Sequence, residues 1–184
     1  LNKKLVKFTG IFCKIRYYLP MACRRIVYNA FVSSRLNYGS EIYVNTTKKY
    51  IQPLIVTQNK LLRILQFKWI RTPINNLYRE FSVLKLKDLQ NYNICCIVQK
   101  FIHKPTLLPE AINDLFRKNE QIHDYNTRHK KDLHPPKINT KSYGEKTFSF
   151  QGTALWNKLP ENIKEITSVN TFKSKLKKYI LNNY

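Results

Sequence analysis

With 184 residues and 43% hydrophobic content, the chain can bury a core without staples, as one large domain or two small ones. Its 33 Lys and Arg face only 11 acids, for a net charge of +22. Such an imbalance strains the compact state by self-repulsion and calls for a polyanion, nucleic acid first and an anionic membrane surface second. The apolar runs are short and broken by Lys or Arg, which excludes a membrane-spanning helix, and no signal peptide is visible.

Taken in chain order, Leu1, Leu5, Phe8, Phe12, Ile15 and Leu19 recur at helical spacing, so the first segment reads as an amphipathic helix ending at Leu19-Pro20. Pro20 suits the first turn of a second helix, which is expected to turn Ile26, Val27, Ala30 and Phe31 inward and Arg24, Arg25 and Arg35 outward, and to stop at Gly39. The two helices should form an antiparallel pair. Thr46 or Thr47 is placed to cap a third helix with an apolar stripe of Ile51, Leu54, Ile55, Gln58, Leu61, Leu62 and Leu65. Pro53 fits only a first turn, so the regular helix should begin close to it. Thr72-Pro73 marks a break and a boundary.

Beyond it, residues 74–81 suggest a short helix, and Asp88 is placed to cap a helix over about 88–103 that is apolar around most of its circumference and therefore central. Pro105 stops it, and Pro109 could start another helix through Phe116. Residues 118–145 read as an extended loop, and Thr147-Phe148-Ser149-Phe150 alternates as a brief strand would. Gly152 should open a short helix holding Trp156. Ser168 or Asn170 can cap the last helix, with Phe172, Leu176, Tyr179 and Ile180 on one face. The expected fold is mainly α: a helical bundle over 1–72, a helical connector over 73–117, and a C-terminal region over 118–184 with an extended loop, one short β element and a basic terminal helix.

Charge is concentrated at the start. Residues 1–72 carry 14 Lys and Arg against Glu41 alone. Cys13, Cys23, Cys95 and Cys96 form no C-x-x-C pair, and the four histidines form no H-E-x-x-H, so no zinc site is indicated. With four glycines and none in G-x-x-x-x-G-K, no phosphate loop is present, and no paired aspartates offer to hold two metals. The sequence names no catalytic residue, metal or cofactor. It does offer phosphate contacts from Lys3, Lys4, Lys7, Lys14, Arg16, Arg24, Arg25 and Arg35, with Tyr17 and Tyr18 beside them as stacking surfaces.

Three separated blocks carry a more specific signal: His123-Asp124-Tyr125-Asn126-Thr127-Arg128, Gly152-Thr153-Ala154-Leu155-Trp156-Asn157-Lys158-Leu159-Pro160, and the basic Phe172–Tyr179 helix. In this order they resemble the region after the palm in reverse transcriptases of non-LTR retrotransposons of the jockey-like kind. Arg35-Leu36-Asn37-Tyr38-Gly39 and Gln58-Asn59-Lys60 resemble features of the thumb of such enzymes. The resemblance implies that residues 1–72 are thumb-like and grip a template–primer duplex, which adds Lys60 and Arg128 to the nucleic-acid-binding candidates. It implies RNA or an RNA–DNA hybrid and the palm and fingers of the same polyprotein as partners, no membrane, a nuclear location, and an active centre elsewhere in the polyprotein. The aromatic-Ala-Asp-Asp motif of the palm does not occur in this sequence, nor does the zinc knuckle of some related elements. Leu1 and the single Met21 make it read as a fragment of a longer product. Two other readings remain: a decayed or repurposed retrotransposon piece acting as a structural or protein-interaction module, and a helical protein on a membrane surface.

Overall fold

The computed structural model describes residues 1–122 and 132–184 and is mainly helical, as the periodicity predicts. It divides into two compact units, Leu1–Gln90 with Tyr179–Tyr184, and Asn91–Lys178. The expected break at Thr72-Pro73 lies inside the first unit.

In the first unit, α1 (Asn2–Ile15), α2 (Met21–Tyr28), α3 (Ser34–Asn37), α4 (Ser40–Tyr43), α5 (Lys48–Leu65) and α6 (Ile74–Phe81) follow in order. α1 packs chiefly along α5 and buries Leu5 and Phe12. Contacts fix the directions. The Thr57 hydroxyl donates to Asn2 Oδ1 and Arg16 reaches Ile64 at the other end, so α1 and α5 run the same way. Arg24 meets the end of α5 while Tyr28 meets Gln58 further back, so α2 runs against both. The expected antiparallel α1–α2 pair is present, with the Phe8 and Phe31 rings 5.5 Å apart.

Of the residues expected to turn inward on the second helix, Val27 packs against the core, but the other three do not. Ile26 is 64% exposed and Ala30 and Phe31 are also exposed, while Tyr28, Val32 and Leu36 are buried. A π-helical turn over Asn29–Ser33 adds a residue to the turn, which carries the inward face from Tyr28 on to Val32 and Leu36. Gly39 does stop the run, at φ 65°, a left-handed conformation that glycine adopts without a Cβ clash. Pro53 is also not where expected. It lies in the second turn of α5, which begins at Lys48. Both Pro53 and Lys49, whose carbonyl Pro53 cannot serve, are exposed, so water can replace the missing donor. Thr47 occupies the N-cap position of α5 without a side-chain cap bond.

Residues 74–81 form α6 as predicted. Both α5 and α6 then end in Schellman turns built without glycine. Lys68 N donates to Arg63 O (2.9 Å) and Phe67 N to Ile64 O (3.3 Å); Val83 N donates to Tyr78 O (3.0 Å) and Ser82 N to Arg79 O (2.9 Å). The turning residues, Phe67 at φ 53° and Ser82 at φ 51°, are left-handed, at a cost of about 1–2 kcal/mol for a residue with a Cβ.

α7 (Leu86–His103) starts before Asp88, which therefore sits in its first turn and not at its cap. Its buried residues Leu86, Gln90, Ile94, Cys95, Cys96, Val98 and Gln99 match the expected central helix. Buried glutamines recur. Gln58 Nε2 donates to Leu84 O (3.0 Å), Gln66 to Leu77 O (2.9 Å), Gln90 to Glu41 O (3.3 Å), and Gln99 to Ile166 O (3.0 Å) and Thr167 O (3.1 Å). Each gives a main-chain carbonyl a side-chain donor.

Beyond α7 follow α8 (Glu110–Asn113), which is shorter than expected, then α9 (Lys141–Gly144), α10 (Phe148–Asn157), α11 (Glu161–Lys164) and α12 (Val169–Asn182). The expected strand at 147–150 is helix. Phe148, Gly152, Thr153 and Trp156 form one helical face, and that 3.6-residue period outweighs four residues of alternation. Phe148 packs on Phe116, 5.7 Å between ring centroids. Gly152 lies inside this helix and not at its start. A Cβ there would stand 2.6 Å from the Phe116 ring, so the glycine permits the close approach. Among the described residues the only β pairing is a single antiparallel bridge between Lys118 and Leu133. Trp156 stacks on Phe172 at 5.9 Å, and both are buried.

Candidate nucleic-acid interface

The candidate interface is built on α1. At 3.6 residues per turn, Lys3, Lys7 and Lys14 fall within about 40° of one another around the helix, with Lys4 bordering them, and Leu5 and Phe12 project from the opposite side. All four lysines are exposed. The stripe extends over about 16 Å at 1.5 Å per residue. The core-facing residues thus anchor the helix and hold its cations toward solvent.

The arginines divide into two groups. Arg25 is exposed. Arg16, Arg24 and Arg35 fold back onto the protein and are not free outward charges. Arg16 Nη1 donates to Ile64 O at 3.2 Å and Arg24 Nη1 to Leu65 O at 2.6 Å, so both serve the carbonyl end of α5. A cation there complements the helix dipole by about 0.3–1 kcal/mol. Arg35 donates to Phe31 O (2.6 Å) and lies over the Phe8 ring at 4.7 Å. Lys60, on α5, is exposed. Arg128, with the rest of the His123–Arg128 block, lies outside the described residues.

Sequence reasoning did not find the corner at the end of α5. Phe67 leaves the left-handed turn with the Arg16 and Arg24 guanidinium carbons 4.6 and 4.9 Å from its ring centroid. Tyr17 meets it edge-on at 5.1 Å and accepts a 2.8 Å hydrogen bond from Arg16. Lys68, Trp69 and Arg71 follow, all exposed. The available signal was Phe67 and Trp69 standing off the α5 stripe among Lys and Arg.

A buried polar pair joins α5 to α2: Gln58 Nε2 donates to the Tyr28 hydroxyl at 3.3 Å. Burial raises the Tyr28 phenol well above its ordinary pKa, with the Gln58 bond acting in the opposite direction. Among the described residues, no three His, Cys, Asp or Glu side chains come together to hold a metal. The arrangement offers an ordered row of cations and a rigid aromatic corner, which suits phosphate contact and ring stacking.

No protein-family model matches the chain, and no curated protein or solved structure is significantly similar to it.

Proposed function

We propose that this chain is a non-catalytic nucleic-acid-binding portion of an RNA-directed DNA polymerase from a non-LTR retrotransposon, gripping RNA or an RNA–DNA hybrid with its N-terminal helices as a thumb does. The observation that carries this reading is the exposed Lys3–Lys7–Lys14 stripe, in a unit whose sequence holds 17 Lys and Arg against three acids. The retrotransposon assignment rests on the three ordered motif blocks of the sequence. The palm and fingers of the same polyprotein are its partners in this reading, and the nucleus its location.

The test is the affinity of the 184-residue chain for an RNA–DNA hybrid duplex across a salt series. Each neutralised phosphate contributes about 0.9 to the slope of log affinity against log salt. Replacing Lys3, Lys7 and Lys14 together by Gln should flatten that slope by about 2–3. An affinity of the parent chain that does not respond to salt sinks the reading.

A protein-interaction module is the second reading. It is favoured by an open apolar groove of about 690 Å³ whose lining includes Leu1, Tyr38, Ile42, Tyr50 and Leu54. Tyr38, Ile42 and Tyr50 are exposed. This reading requires oligomers in sedimentation with nucleic acid absent.

A further inference from the structure

We infer that the corner where Tyr17 meets Phe67, flanked in sequence by the exposed Tyr18 and Trp69, is a stacking site for an unpaired nucleotide extending from a bound duplex. This rests on the nucleic-acid reading above and adds a specific subsite to it.

The rings are held open at a cost that folding alone does not explain. Tyr18 is 86% exposed and Trp69 73% exposed, and Tyr17 and Phe67 are exposed as well. An apolar ring left in water forgoes the stabilisation that burial gives it. Phe67, moreover, occupies a left-handed backbone position at φ 53° where a glycine would cost nothing.

The corner is also rigid. Arg16 is tied to Ile64 O and Tyr17, and Arg24 to Leu65 O, so both guanidiniums are fixed beside the Phe67 ring. Arg63 Nε and Nη2 both donate to Thr72 O, and Thr72 N donates to Trp69 O, which closes the loop that carries Trp69. Ordering was thus completed during folding and need not be repeated on binding.

Charge selects the occupant. Lys14, Arg25, Lys68 and Arg71 are exposed near the rings in sequence, and the α1 lysine stripe ends at Lys14, four residues before Tyr18. Aromatic faces with cations alongside fit a base with its phosphate, since every base offers a π-face and the backbone between bases is anionic. A protein partner would need dense acidic charge to tolerate the same surroundings.

The experiment compares a blunt RNA–DNA hybrid with one bearing a single-stranded extension of about four nucleotides, with 2-aminopurine at the first unpaired position, both binding the full chain. The extension should tighten binding roughly 5- to 150-fold, the range expected from stacking one base. It should also quench Trp69 fluorescence, which is readable because Trp156 is only 2% exposed. Tyr18→Leu with Trp69→Leu should bring the extended hybrid to the same affinity as the blunt one. Tyr17→Leu alone, which leaves the bonds of Arg16 and Arg24 to the α5 carbonyls in place, should remove part of the gain. A chain that binds the blunt hybrid but gains nothing from the extension overturns the stacking site while leaving the phosphate reading intact; a chain that binds neither overturns both. Leucine variants that break up an oligomer while the extension gain persists also overturn it, and identify the corner as a protein contact.

Discussion

In the first unit 17 Lys and Arg stand against three acids, while in the second 16 stand against eight. The two meet their excess cation differently. No ion pair joins described residues of the first unit, and its half-buried Arg16 and Arg24 donate to carbonyls at the end of α5 instead. In the second unit Lys164 is enclosed by Asp132 at 3.2 Å and Glu161 at 2.9 Å, and it also donates to Asn157 O. Burial there lowers the Lys164 pKa, but the hydrogen bonds and charges of Glu161 and Asp132 outweigh it and the net shift is upward. A cation bound to a carbonyl keeps its full charge, whereas one held by two carboxylates is neutralised locally. The first unit therefore folds without discharging its surface, which is what binding a polyanion requires.

The largest effect that would sharpen this contrast is loss of one core ring from each unit. Phe12 and Phe172 are both fully buried. Phe12→Ala and Phe172→Ala should each cost about 3–5 kcal/mol, through lost burial and the cavity left behind. Denaturant unfolding followed at buried Trp156 should report the Phe172 loss directly. Hybrid binding by the folded fraction should fall only for Phe12→Ala, since Phe12 seats the helix that carries the lysines. Equal loss of binding in both variants would break the division of labour.

Much of this fold was legible because period alone decides the outcome for long amphipathic segments. α1, α5 and α7 have the predicted apolar faces, and Trp156 sits in a helix as expected. The errors arose where tertiary contacts act on short stretches. Thr147–Phe150 alternates over only four residues, and packing of Phe148 on Phe116 makes it helix. The π turn at Asn29–Ser33 has no marker in the sequence, so the inward places of Val32 and Leu36 beyond it were not read. Asn157 was hidden for a different reason. Its side chain pairs with both backbone groups of Leu133, accepting from N at 3.1 Å and donating to O at 2.9 Å, across 24 residues. The candidate cations were legible as types, but not their division into exposed lysines and carbonyl-bound arginines, because that depends on which helix ends meet.

Adjacent arginines give the next test. Arg24 holds Leu65 O, whereas Arg25 is exposed. Arg24→Met should lower first-unit stability by about 1.5–3 kcal/mol, the range for a hydrogen bond from a charged group. Arg25→Met should leave stability within about 0.5 kcal/mol of the parent and reduce the salt slope of hybrid binding by about 0.9. Chemical denaturation and binding on the same two proteins separate the roles. Identical stability losses would mean that the carbonyl contact contributes nothing.

The smallest effect concerns a single phenol. The Tyr43 hydroxyl donates to Leu36 O at 2.5 Å, and burial, with the Glu41 charge adding to it, pushes its pKa up to about 12 from an ordinary value of 10. A pKa raised in the folded state means that the folded chain holds the proton more tightly than the unfolded one. The stabilisation is therefore complete below pH 10 and is lost as pH rises from there through about 12. Tyr43→Phe removes the hydrogen bond and should cost about 1 kcal/mol at neutral pH. It also removes the titrating group, so the variant escapes the alkaline loss that the parent suffers. The stability gap between the two should narrow as pH rises above 10, measured by urea midpoints at fixed ionic strength. A gap that stays constant through that range would show that Tyr43 is not the proton-linked contact that ties the π-turned second helix to α4.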